Sequence, residues 1–269
     1  MENIIEDINT CNHPKDPTDV GAASLDYDTE IKKTSLMNYT DIINYPISWS
    51  YKFTPEEIVI MKKCATNNCI ITGTINGHRD ELKIIIDRLK TSWIDAMWFF
   101  RFDGRSPKDG ASEYPVFTAE QVITKIVTSK RGFTSMMDGE DTIYFVKYEN
   151  NWDRQREFRV FVYKQRVTAI SQYTYDKSML SGKSTAMAKE LGLKIKTYLE
   201  NDVLPLVCSK IGTNNVVCDM YVNDNGSLRI IEFNSFGYWL AAGSALFNWL
   251  KDKEQLYNQK GVTYMRFRK

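Results

Sequence analysis

The feature that most constrains this chain is Asn223-Asp224-Asn225-Gly226, set between the β-rich runs Val216-Val217-Cys218-Asp219-Met220-Tyr221-Val222 and Leu228-Arg229-Ile230-Ile231-Glu232-Phe233-Asn234. Asn-Gly between two such runs is the strongest short-range signal for a hairpin with a two-residue loop. With Asn225-Gly226 as that loop, counting back along both strands sets Asp219 opposite Glu232. Strand side chains alternate faces, so Asn234 joins Glu232, and three oxygen donors converge on one side. Like charges directly opposite each other destabilise a sheet unless a cation lies between them. Hard oxygen donors without His or Cys suit Mg²⁺ bridging phosphates. The competing reading is a solvated acidic face whose shared parity is incidental, and a bulged loop would break the count.

Other segments carry charge in patterned positions. In Glu157-Phe158-Arg159-Val160-Phe161-Val162, Phe158, Val160 and Val162 share one face, while Glu157, Arg159 and Phe161 share the other. Arg offers a fixed fork of donors suited to phosphate, although a surface cross-strand ion pair has the same signature. Lys147 ends Thr142-Ile143-Tyr144-Phe145-Val146-Lys147 on the face of Ile143 and Phe145, to hold a phosphate or simply to snorkel from a strand end. Arg101-Phe102-Asp103-Gly104-Arg105-Ser106-Pro107-Lys108-Asp109-Gly110 reads either as an anion-binding edge or as a charged surface turn. Neither G-x-x-x-x-G-K-[ST] nor G-x-G-x-x-G occurs, which disfavours P-loop and Rossmann nucleotide sites.

The 269 residues are 43% hydrophobic and 26% charged, the balance of a folded chain with a substantial core. A net charge of +1 gives no global pull toward nucleic acid or anionic membrane. Phe236 to Leu250, the longest near-apolar stretch, falls short of the roughly 18–20 residues that span a bilayer, and the acidic start MENIIEDINT does not read as a signal peptide. Cys11, Cys64, Cys69, Cys208 and Cys218 are odd in number with no C-x-x-C spacing, so a reducing, cytoplasmic setting is expected and no zinc knuckle is signalled. With only His13 and His78, a histidine-based metal site or triad is not expected either.

Residues 1–40 read as a leader or irregular arm, 41–140 as an N-terminal α+β lobe and 141–269 as a second lobe. Thr54-Pro55-Glu56-Glu57 starts a helix over 55–66 with a capping box. Further helices are expected over 79–90, after Thr118, and over 184–211 with a break near Pro205. Strands are expected at 96–102, 142–148, 157–163, 166–172, 216–222 and 228–234.

Four segments stand together in order: Ser106-Pro107-Lys108-Asp109-Gly110, Glu157-Phe158-Arg159-Val160-Phe161-Val162, Ile170-Ser171-Gln172, and Asp219-Met220-Tyr221 through Glu232-Phe233-Asn234-Ser235-Phe236-Gly237. The set resembles the cell division cycle protein 123 family, also called D123, over roughly residues 42–250. The resemblance implies an α+β ATP-grasp fold of two lobes, with ATP and Mg²⁺ as cofactors. Asp219, Glu232 and Asn234 match the family's Mg²⁺ ligands, with Glu at 232 where Asp is usual. Arg101 falls where the family has a phosphate-contacting lysine, Ser106, Pro107 and Asp109 lie in its nucleotide-facing loop, and Lys147, Glu157 and Arg159 match further nucleotide-site positions. The chain departs at Ser235, where Pro is usual, and at Tyr238, where an acidic residue is usual. The implied role is assembly chaperone for the gamma subunit of translation initiation factor 2. The other reading is an ATP-grasp ligase that activates a phosphate or carboxylate for RNA ends or a peptide amine, with Arg101, Lys147 and Arg159 stabilising developing negative charge. The RNA version would require Lys125, Lys130, Arg131, Arg154, Arg156, Lys164 and Arg166 to form one face. On either reading, Asp219→Ala or Glu232→Ala is expected to abolish Mg²⁺-dependent nucleotide binding and leave the fold intact.

Overall fold

A computed structural model of the chain describes residues 3–7, 27–240, 242–257 and 262–268. Most of the expected leader, with Cys11 and His13, lies outside the described residues. Nine strands are present among the described residues: β1 (Asn3–Asp7), β2 (Ile47–Lys52), β3 (Trp98–Phe102), β4 (Thr142–Lys147), β5 (Glu157–Tyr163), β6 (Arg166–Gln172), β7 (Val216–Val222), β8 (Leu228–Ser235) and β9 (Thr263–Phe267). They form a six-stranded mixed sheet in the order β1-β9-β6-β5-β7-β8 and a three-stranded antiparallel sheet in the order β2-β4-β3. The chain is α+β, and it divides into two compact units, one of Pro46–Asn150 and one of the described residues before and after that segment.

The division differs from the expected boundary at residue 140. β4 pairs with β2 and β3, so it belongs to the smaller unit and not to the later lobe. The arm expected over 1–40 also contains structure: β1 pairs in parallel with β9, and Tyr27–Lys33 is helical. A strand that joins a sheet edge does so through backbone groups, which side-chain periodicity does not report.

In the smaller unit the two capping boxes set the helix starts. Thr54 and Glu57 exchange side-chain and backbone bonds at the start of the helix Pro55–Cys64, and Thr118 and Gln121 do the same for Ala119–Thr128. Trp98, Phe100 and Phe102 turn inward from β3 opposite Lys147, Phe145 and Ile143 of β4. Trp49 stacks on Phe145 at 3.8 Å in that core.

In the larger unit β5 and β7 are central and buried on both faces. Phe158, Val160, Ile170, Cys218 and Phe233 share the face covered by the helix Thr185–Tyr198 and by Tyr39. Gly192 lets that helix approach closely, because a Cβ there would sit 3.0 Å from Met265 Sδ. As expected, the helical stretch breaks before Pro205, which stands in the first turn of Leu204–Ile211. Ser235 accounts for one departure from the family pattern: its hydroxyl donates to the Glu30 carbonyl at 2.8 Å and lies 3.0 Å from Thr34 Oγ1, tying the early helix to β8.

Candidate functional site

The opposite face of the six-stranded sheet carries the polar groups. Register places Arg159 of β5 opposite Asp219 of β7, and Asp219 opposite Glu232 of β8, so one row across three strands reads cation, carboxylate, carboxylate. The expected pairing of Asp219 with Glu232 is observed, yet by a different route. Asn223 N–H bonds the Ser227 carbonyl and Gly226 N–H bonds the Asn223 carbonyl, with Gly226 at φ 76, so the loop has three residues and not two. A bulge on β8 between Ile230 and Glu232 then restores the lost residue.

Asp219 is 3% exposed and Arg159 is 7% exposed, which rules out the solvated-face reading. The guanidinium grips the carboxylate with both arms of its fork, Nε to Oδ1 and Nη2 to Oδ2, each 2.8 Å. Its Nη1 donates to the Gly243 carbonyl at 2.6 Å, and its plane lies 4.9 Å from the Tyr173 ring centre. Asn234 Nδ2 approaches Asp219 Oδ2 at 3.4 Å. Arg159 is therefore the counter-ion of Asp219 and not, as expected, an outward phosphate-binding fork. Burial, with the charge of Asp219, pushes the Tyr173 hydroxyl up to about 12, so it stays protonated at neutral pH.

The donor set fits a hard divalent cation. Each carboxylate oxygen accepts along two lone-pair directions, so the Arg159 fork does not exhaust Asp219. Asn234, donating through Nδ2, keeps Oδ1 as the acceptor a cation would use. Glu232 completes the set from directly across the hairpin.

One row further along the same face, Glu157 lies opposite Tyr221 and accepts from Trp152 Nε1. Trp152 stacks on Tyr221 at 4.1 Å, and Arg229 covers both rings at 4.9 and 5.4 Å. Sequence parity found Glu157 and Arg159. It missed Tyr173, which continues β6 beyond Gln172 and bonds the Glu157 carbonyl through its N–H.

In the smaller unit the predicted residues do not converge. Arg101 lies opposite Tyr144, on the face of the three-stranded sheet opposite to Trp98 and Lys147. Its Nε and Nη2 turn back to the carbonyls of Phe102 and Asp103 at 3.2 and 3.4 Å, and the residue is 4% exposed. Lys147 is exposed at the end of β4. Ser106 and Pro107 are buried, and the Ser106 carbonyl accepts from Arg131 Nε at 2.8 Å. Asp109 accepts from the Ser129 hydroxyl and from Arg131 N–H, bracing the start of the helix Lys130–Met137. The proposed basic face is also dispersed: Lys125 is 1% exposed inside its unit, and Arg156 pairs with Asp224 at 2.8 Å.

Glu140 is a perturbed acid that periodicity did not flag. It accepts from Gly104 N–H at 3.1 Å, and burial, reinforced by the charge of Asp103, pushes its carboxyl from 4.5 up to about 7. The folded chain thus holds this proton in a pH range where the unfolded chain has released it. Stability is expected to fall as pH rises from about 4.5 to about 7, by about 2–3 kcal/mol from this group. Glu140→Gln should remove that slope in denaturant unfolding compared across the range, and an unchanged slope would refute the assignment.

Residues 140–267 match the family model D123. The chain is 33% identical over 109 residues to a "Translation initiation factor eIF2 assembly protein" of Candida albicans, an alignment covering 38% of the chain and 30% of that protein. It is 29% identical over 181 residues to a "Putative CDC123-like protein" of Acanthamoeba polyphaga mimivirus, covering 64% of the chain and 54% of the relative. The chain thus spans about a third to a half of the length of these relatives. The solved structure of C-terminally truncated Cdc123 from Schizosaccharomyces pombe superposes with a TM-score of 0.60 at 14% identity, covering 90% of this chain and 98% of that one, which establishes the same fold. The segment 140–267, which contains the whole Arg159–Asp219–Glu232 row, is thus similar to the D123 family.

Proposed function

We propose that the chain binds ATP with Mg²⁺ as an ATP-grasp protein and serves as an assembly chaperone for the gamma subunit of translation initiation factor 2. The observation that carries the nucleotide reading is the row Arg159–Asp219–Glu232 with Asn234 beside it. Asp219, Glu232 and Asn234 are the residues that would hold Mg²⁺, and the ion would neutralise phosphate charge there. Arg159 holds the Asp219 carboxylate in place with both arms of its fork. Lys147 is exposed at the end of its strand, and Arg101, Ser106, Pro107 and Asp109 belong to β3 and the ordered loop that follows it. The chaperone reading rests on the likeness of residues 140–267 to the D123 family and on the assembly role that the Candida relative's name states. The ligase reading with RNA ends is not retained, because the basic residues it needs are buried or paired at Lys125 and Arg156.

Glu232→Gln is the discriminating variant, since it removes a charge without unpairing Arg159. Titration calorimetry with ATP should show tight binding that depends on Mg²⁺, and this variant should lose on the order of 10–100-fold in affinity. Equal Mg²⁺-dependent affinity in both proteins would refute the metal assignment. A binding assay with the purified gamma subunit tests the chaperone role, which a lack of association in the presence of ATP and Mg²⁺ would rule out.

A further inference from the structure

We propose that Cys64, His78 and Glu81 form a zinc-binding site in the smaller unit, independent of the nucleotide reading. Cys64 ends the helix that starts at Pro55, and the chain then passes through a kinked turn over 65–69. Within it Asn67 takes φ −83, ψ 45 and Asn68 takes φ 97, conformations that no helix requires and that cost free energy in a non-glycine residue. The kink brings the Asn67 carbonyl to 2.8 Å from His78 Nε2. His78 precedes the helix Arg79–Thr91, and Glu81 lies in its first turn.

The three side chains meet at one point. His78 Nδ1 is 2.8 Å and Cys64 Sγ is 3.4 Å from the same oxygen, Glu81 Oε2, and the three ligand atoms lie within 4.8 Å of one another. Zinc held tetrahedrally by bonds of about 2.0–2.3 Å separates neighbouring ligand atoms by about 3.3–3.7 Å, so the Cys64–Glu81 separation already fits and the His78–Glu81 separation needs to open by about half an ångström. Lys63 bonds the other oxygen, Oε1, at 3.2 Å, which leaves Oε2 directed at the cluster.

The histidine geometry suits a metal ligand. Both imidazole nitrogens face oxygens: an imidazolium donates to both, whereas a neutral ring that donates from Nε2 to the Asn67 carbonyl keeps the Nδ1 lone pair for a metal. A metal between Nδ1 and Oε2 would replace the proton they share with two bonds. An imidazole that donates its other N–H to a backbone carbonyl is also the arrangement that orients metal-ligating histidines. One thiolate, one imidazole and one carboxylate make a borderline-soft set suited to Zn²⁺ rather than Mg²⁺. Cys64 is fully buried, whereas Glu81 is exposed, so the open side is left for a water as fourth ligand. The sequence hid the site because its ligands lie on two helices joined by an irregular segment, with no C-x-x-C spacing.

The test uses the full chain, stripped with chelator under reducing conditions and titrated with Zn²⁺ or Co²⁺ alone. The expected result is one zinc per chain by elemental analysis, and with cobalt a near-ultraviolet thiolate charge-transfer band that Cys64→Ser abolishes. Cys64 belongs to the core, so His78→Gln, at the helix start, guards against a folding defect. It should remain folded by circular dichroism and bind zinc at least about tenfold more weakly. Folded wild-type chain that retains no zinc, a missing cobalt band, or unchanged affinity in folded His78→Gln would each overturn the site and leave a hydrogen-bonded helix cap.

Discussion

Asp219→Ala is expected to cost about 3–5 kcal/mol of folding stability, the loss typical when one member of a buried ion pair is removed. The side chains of Arg159 and Asp219 are 9% and 4% exposed, so water cannot replace the missing carboxylate. Two N–H donors of Arg159 would lose their acceptors and keep only the third bond, to Gly243. The remaining guanidinium would stay charged among Tyr173 and the central strands. Asp219→Asn, which keeps an acceptor, should lose less, and the double variant Arg159→Met with Asp219→Leu should recover much of the loss by removing both charges together. Denaturant unfolding of the four proteins measures this. A loss below about 1 kcal/mol in Asp219→Ala would mean that the pair behaves like an exposed surface bridge. The result also governs how the nucleotide test is read: the sequence-based expectation that this variant leaves the fold intact does not survive the Arg159 fork, and a binding defect in it would mix unfolding with metal loss. Glu232 is not gripped by the fork, which closes on Asp219, and only its charge reaches the Arg159 guanidinium from the neighbouring strand.

The polar row was legible in the sequence to the extent that alternation is a property of strands. Glu157 and Arg159, and Asp219 with Glu232 and Asn234, could be assigned to shared faces without knowing their neighbours. The pairing of Asp219 with Glu232 came from a count containing two errors that cancel: the loop takes one residue more than Asn225-Gly226 suggests, and the bulge near Ile231 gives it back. Capping boxes at Thr54 and Thr118 were legible because they are local chemistry. What escaped depended on the fold. Nothing in Arg101 or Lys147 says that β3 and β4 pair so as to turn them to opposite faces. Nothing near Asn3 says that β9 offers an edge. Cys64, His78 and Glu81 share no motif, and only the kink at Asn67 and Asn68 brings them together.

The loop from Asp103 to Tyr114 shows how a segment that reads as a charged surface turn can be fixed by one missing side chain, and Gly110→Ala should dislodge it. A Cβ at Gly110 would stand 2.1 Å from the Lys125 carbonyl oxygen, 3.0 Å from its carbonyl carbon and 3.1 Å from its Cγ. The first two are backbone atoms within the helix Ala119–Thr128, which cannot yield without breaking its own hydrogen bonds. The loop must move instead, and it has much to lose. Lys125 Nζ donates to the carbonyls of Gly110 and Ser112 and stands 4.5 Å over the Tyr114 ring, and Ala111 N–H bonds Thr128 Oγ1 at 2.8 Å. Burial lowers the pKa of Lys125, so its charge depends on those carbonyls and on the nearby Asp109 and Glu113 for compensation. Overpacking of this kind costs about 1–3 kcal/mol by itself, and the unpaired ammonium adds to it. Gly110→Ala should therefore lower the unfolding midpoint and open residues 103–114 to limited proteolysis, while Gly139→Ala, where a Cβ meets open space but φ is 86, should cost backbone strain without exposing that loop. Unchanged stability and protease resistance in Gly110→Ala would mean that the loop rides free of the helix, and that Ser106, Pro107 and Asp109 owe their positions to something other than Lys125.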